Sequence, residues 1–91
     1  MGADEVKEEG NGDLMSGTES SRKYLAFHRT AKIGSVLKVR NQQNNREVFV
    51  RVVGPMPADA TADLAIRISK AAFNQLEAAE GKFKAEITYY Q

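Results

Sequence analysis

The chain has no cysteine, no tryptophan, one histidine and two prolines in 91 residues. Without cysteine it has no disulfides and no thiolate ligands, so thiolate zinc sites are excluded. A lone histidine leaves metal centres and most nucleophilic schemes short of partners. No run approaches the roughly 18 apolar residues that span a membrane. The N-terminus is acidic where a secretory signal is basic, so no signal peptide is read there. Met1-Gly2 looks like an added start, so that absence says little about the native protein. The missing cysteines leave the compartment open as well, because many periplasmic domains lack disulfides.

What is present suffices for one small domain, able to bury about 60–65% of its unfolded surface. The net charge of +1 hides an asymmetry. Residues 1–20 carry six acidic residues and Lys7 alone against them, net −5, while the remainder has 12 basic and 6 acidic residues, net +6. That leading segment, MGADEVKEEGNGDLMSGTES, has only Val6, Leu14 and Met15 as large apolar residues after Met1. By composition it buries too little to offset its ordering entropy. Residues 1–21 are therefore expected to be a disordered leader or linker, and residues 22–91 the folded domain.

From residue 22 the period is that of strands. Tyr24-Leu25-Ala26-Phe27 is a short apolar run, the expected first strand. Val36 to Arg40 and Glu47 to Val53 flank Asn41-Gln42-Gln43-Asn44-Asn45-Arg46, a loop whose asparagines suit a hairpin. Val48, Val50 and Val52 share one face, with Phe49 and Arg51 on the other. Gly54-Pro55-Met56-Pro57 ends that strand. Leu64, Ile66 and Ile68 alternate with Ala65 and Arg67 in the next. Ser69 is placed as N-cap of a helix over 70–79, with Gly81 at its C′ position. Phe83, Ala85, Ile87 and Tyr89 face inward on the last strand. Five strands and one short helix predict a mainly β fold, a small barrel whose closure removes exposed edges.

The stretch AFHRTAKIGSVLKVRNQQNNREVFVRV (26–52) resembles the double-psi β-barrel of the rare lipoprotein A family. Members typically read H-R/K-T, three residues, G-S/T, a strand, a turn and a Val-rich strand. His28-Arg29-Thr30, Gly34-Ser35 and Val48 to Val52 fall into that register. Ile66-Arg67-Ile68-Ser69-Lys70-Ala71-Ala72 is similar to the family's I-D-L-S-R/K-A-A block, and Leu76 extends it. The resemblance covers residues 24–90 and implies a double-psi barrel of five to six strands with one short α-helix.

Departures from the pattern bear on activity. Lytic transglycosylases of the family use an acid in the I-D-L-S strand, where this chain has Arg67. The N-D-R-G-P loop is reduced to Val53-Gly54-Pro55. No counterpart of the upstream glycine-rich strand and its acid is read in residues 1–22, Glu19 being the nearest candidate. The pattern resembles diverged barrels at the ends of LysM-containing envelope proteins of Bacteroidetes-type bacteria. It implies a non-catalytic module of the periplasm or cell envelope, binding peptidoglycan or another envelope component within a larger protein. The alternatives are a lytic transglycosylase, with Asp59 or Asp63 in place of the missing acid, and a nucleic-acid-binding small barrel.

The residues themselves narrow these classes. Glycan cleavage needs a carboxylic acid held protonated, and an arginine beside it works against that. Glu77, Glu80 and Glu86 are read as solvated charges. His28 has two readings, a brace for its turn or a groove contact. Arg29, Lys38, Arg40, Arg51 and Arg67 are either a solvated surface or a basic face for an anionic, sugar-rich polymer. Tyr24, Tyr89 and Tyr90 are the aromatic candidates. Nucleic acid is not the expected partner, because no basic residues cluster. The groove candidates are His28, Arg29, Tyr24, Asp63 and Arg67, and no cofactor or metal is implied.

Overall fold

Alternation in the valine-rich run decides where the core sits. The computed structural model describes residues 4–78 and 81–90. Strand β4 (Arg46–Gly54) buries Val48, Val50 and Val52 and turns Phe49 and Arg51 outward. It pairs antiparallel with β3 (Val36–Asn41), placing Leu37 opposite Val50 and Val39 opposite Val48. Asn45 takes the left-handed backbone, φ 64°, that the tight connection requires. The expected hairpin is there.

The other strands are β1 (Glu5–Leu14), β2 (Leu25–His28), β5 (Leu64–Ile68) and β6 (Phe83–Tyr90). Together they form a closed barrel in the order β1-β5-β2-β4-β3-β6, with β6 returning to β1. Two pairs are parallel, β1 with β5 and β2 with β4. Inward side chains from β3 to β6 fill the barrel, and Ala72, Phe73 and Leu76 of the helix α1 (Lys70–Gln75) join the same core. The described residues form a small, mainly β barrel with one short helix.

Strand β1 corrects the expectation of a disordered leader. Its ten residues pair with β5 on one side and β6 on the other, from Glu5↔Tyr90 to Leu14↔Ile68. Two backbone ladders hold it, with only Val6 and Leu14 packed against the core. Close approach replaces side-chain burial. A Cβ at Gly10 would lie 2.8 Å from the Ala65 Cβ, and one at Gly12 would lie 2.4 Å from the Phe83 ring. Without β1, the facing edges of β5 and β6 would be unpaired. Residues 15–24 are also tied in, since the Thr18 hydroxyl accepts from the Lys70 amide at 3.0 Å.

The helix is shorter than expected. Ser69 occupies the N-cap position, but its hydroxyl makes no cap bond. Instead it donates to the Lys23 carbonyl (2.7 Å) and accepts from the Leu25 amide (3.1 Å), joining the helix start to β2. At the other end Glu77, not Gly81, is the left-handed C′ residue, φ 49°. Its amide bonds to the Asn74 carbonyl and that of Ala78 to the Phe73 carbonyl, a Schellman closure. Asn41 and Asn44 donate side-chain amides to the Leu76 carbonyl, and Arg46 donates to the Gln75 carbonyl. The hairpin loop therefore caps the helix, which stops where its carbonyls are satisfied. Ala79, part of the expected helix, lies outside the described residues.

The contact at Gly12 is a test of the closing strand. Phe83 is buried and stacked edge-on against Phe73, centroids 5.8 Å apart, so it has little room to yield. Gly12→Ala is predicted to cost about 1–3 kcal/mol in denaturant unfolding. A midpoint equal to wild type would mean that β1 does not pack as described.

Candidate functional site

His28 ends β2 and is 2% exposed. Its Nδ1 accepts from the amides of Ala31 (3.0 Å) and Thr30 (3.3 Å). That nitrogen is therefore unprotonated, and the ring proton sits on Nε2, which donates to the Glu8 carboxylate of β1. Tyr89 meets the ring edge-on at 5.4 Å and 77°, and its hydroxyl shares a 3.0 Å hydrogen bond with Thr30 Oγ1. These are the hydrogen bonds that a brace of the turn makes. The acid that meets His28 is Glu8, which comes from the strand expected to be disordered. The repeated glycines of Gly10-Asn11-Gly12 were the available signal for that strand.

The other candidates are held in different ways. Arg29 donates to the carbonyls of Leu64 (2.5 Å) and Thr61 (2.8 Å), fastening the loop that leads into β5. Asp63 accepts from the Thr61 hydroxyl (2.5 Å) and the Asn11 amide (2.7 Å), with Lys82 at 3.9 Å. The Thr61 hydrogen bond, then that of Asn11, and the Lys82 charge hold its carboxyl below the ordinary 3.8. A general acid needs the opposite shift. Arg67 points outward from β5 and reaches Asp59 at 3.9 Å. Tyr24 precedes β2, 40% exposed. His28, Arg29, Asp63 and Arg67 thus gather along β2 and β5, while Tyr24 lies at the other end of β2.

Open space lies elsewhere. One cavity of about 340 Å³ is lined by Thr30, Ala31, Lys32, Ser35, Tyr89 and Tyr90. A second, of about 370 Å³, is lined by Val36, Lys38, Phe49, Thr88 and the same two tyrosines. Both border Tyr90, whose ring is exposed and whose hydroxyl donates to Glu5 at 3.1 Å. That hydrogen bond, with the Glu5 charge, pushes the Tyr90 hydroxyl above its ordinary 10.0. Phe49 and Val36 are exposed beside it, at 61% and 49%. Tyr90 is among the aromatic candidates of the sequence, whereas Lys32, Ser35 and Phe49 carry no local mark of a site. These join only because β6 returns to β3 and the 30–35 turn folds over the same end.

Among the described residues no three His, Asp or Glu side chains come together as a metal ion would require. Among those residues no helix is long and apolar enough to cross a membrane. Comparison with protein-family models and with curated protein sequences returned no match.

Two outcomes follow from these contacts. His28→Ala leaves the Thr30 and Ala31 amides without their acceptor, at a cost of about 1–3 kcal/mol in thermal or denaturant unfolding. Glu8→Gln retains an acceptor for Nε2 and should cost less; wild-type melting of His28→Ala would remove the brace.

For Asp63 the folded value lies below 3.8, so its stabilisation is present above that pH. It is lost as pH falls through the folded value. A carboxyl NMR titration should place the Asp63 midpoint below 3.8 and show Thr61→Val moving it upward.

Proposed function

We propose that the barrel is a non-catalytic module of a bacterial cell envelope that binds peptidoglycan or a related wall polymer. The observation that carries this reading is the pair of cavities meeting at Tyr90. Exposed Tyr90 and Phe49 rings offer faces for sugar rings. Lys32 and Lys38 offer contacts for carboxylates, and Thr30 and Ser35 bring hydroxyls to the first cavity. Amino sugars with peptide stems present the complementary groups.

The resemblance to the rare lipoprotein A family supports the envelope assignment, and Thr30 of its His28-Arg29-Thr30 motif lines the first cavity. The two parallel strand pairs support a double-psi topology. Arg67 at the family's acidic position, paired with Asp59, and an Asp63 held ionised both support a binding role. Under this reading the barrel works in the periplasm or envelope, beside LysM-type domains in a larger chain.

A second reading, cleavage of the glycan strand, draws on one observation. Glu8 is a partly exposed carboxylate in contact with a buried histidine, on a strand that stands where the family has an acidic residue upstream. Against it, the Glu8 carboxylate is already engaged by the His28 Nε2–H.

Cosedimentation with purified sacculi tests the first reading. Tyr90→Ala and Phe49→Ala should each reduce the bound fraction severalfold while leaving the far-UV spectrum unchanged. Wild-type retention of both variants would sink it. Release of anhydro-muropeptides that disappears in Glu8→Gln would establish the second reading instead.

A further inference from the structure

Lys32 differs from most cations of the barrel. Among the described residues Lys38 reaches Glu47, Arg40 reaches Glu86 and Arg46 reaches Glu77, while Arg51 donates to the Gly34 carbonyl. Among the described residues Lys32 has no carboxylate within ion-pair range, and the Ser35 hydroxyl that lines the same cavity takes part in no described hydrogen bond. Among the described residues no acidic side chain lines that cavity. Glu5 reaches the Tyr90 hydroxyl but is not part of the lining.

The wall beneath is fixed, because the Thr30 and Ala31 amides are bonded to His28 and the Thr30 hydroxyl to Tyr89. An uncompensated cation, an available hydroxyl and a neighbouring ring face form a receptor for a carboxylate carried on a ring-bearing ligand. The second cavity differs, with an apolar floor of Val36 and Phe49 and a lysine already facing Glu47.

We infer that the Lys32 cavity is the specificity-determining end of the groove and selects ligands bearing a free carboxylate over their neutral counterparts. This rests on the wall-binding reading and names the chemical group that the site distinguishes. Ser35 supports the contact as a second donor. Tyr90 contributes to both ligand forms alike, since stacking does not depend on the carboxylate's charge.

Calorimetric titration with one probe in two forms tests it: a disaccharide–tetrapeptide fragment of peptidoglycan with free carboxylates, and the same fragment amidated. Wild type should favour the free acid by about two- to fivefold, the range expected of an exposed ion pair, and added salt should erode the preference. Lys32→Gln should abolish the preference while retaining the affinity for the amidated form. Tyr90→Ala should weaken both forms and retain the preference.

Equal affinity of wild type for the two forms overturns the inference and leaves wall binding intact. So does a preference that survives in Lys32→Gln. Retention on sacculi with no binding of either fragment also overturns it, and failure to bind sacculi overturns both readings.

Discussion

A neutral imidazole with both nitrogens occupied joins three parts of this barrel. Nε2 of His28 holds Glu8 of the closing strand, Nδ1 holds the amides of the following turn, and the ring edge meets Tyr89 of the last strand. Each contact depends on the others. The two amides require an unprotonated Nδ1, which places the proton on Nε2, and that proton requires an acceptor in a site 2% exposed. Among the described residues no buried side-chain polar atom lacks a partner. Barrel closure and the shape of the cleft wall are therefore linked through one side chain.

The polar residues of the loops perform similar work. Arg29 fastens the 61–64 segment, Ser69 joins the helix start to β2, and Asn41 and Asn44 cap the helix C-terminus. A helix of six residues has little stability of its own. Here its ends are satisfied from outside and its apolar residues complete the core. Most of the chemistry-bearing groups on the β2–β5 side are consumed in this way. Around the two cavities, by contrast, Lys32 and the rings of Phe49 and Tyr90 stand exposed.

This division explains how the candidate site was partly legible. Tyr90 and Lys38 stood out because alternation placed them outward on strands. Lys32 did not, since a lysine in a turn carries no local mark of whether a carboxylate from another element will reach it. Asp63 drew attention by its position near Arg67 in sequence. Its actual neighbours, Asn11 and Lys82, come from β1 and the segment before β6.

Local pattern alone determined β3 to β6 and their inward faces, because alternating valines and isoleucines cannot bury on any other period. It also determined the hairpin at 41–46, through asparagines that tolerate a left-handed backbone. Strand β1 belonged to the tertiary structure. Its inward positions include Glu8, Gly10 and Gly12, which carry little hydrophobic signal. The strand orders because two waiting edges satisfy its backbone and because missing Cβ atoms let Ala65 and Phe83 approach. Composition measures what a segment brings to a core, not the gap that a closed barrel leaves for it.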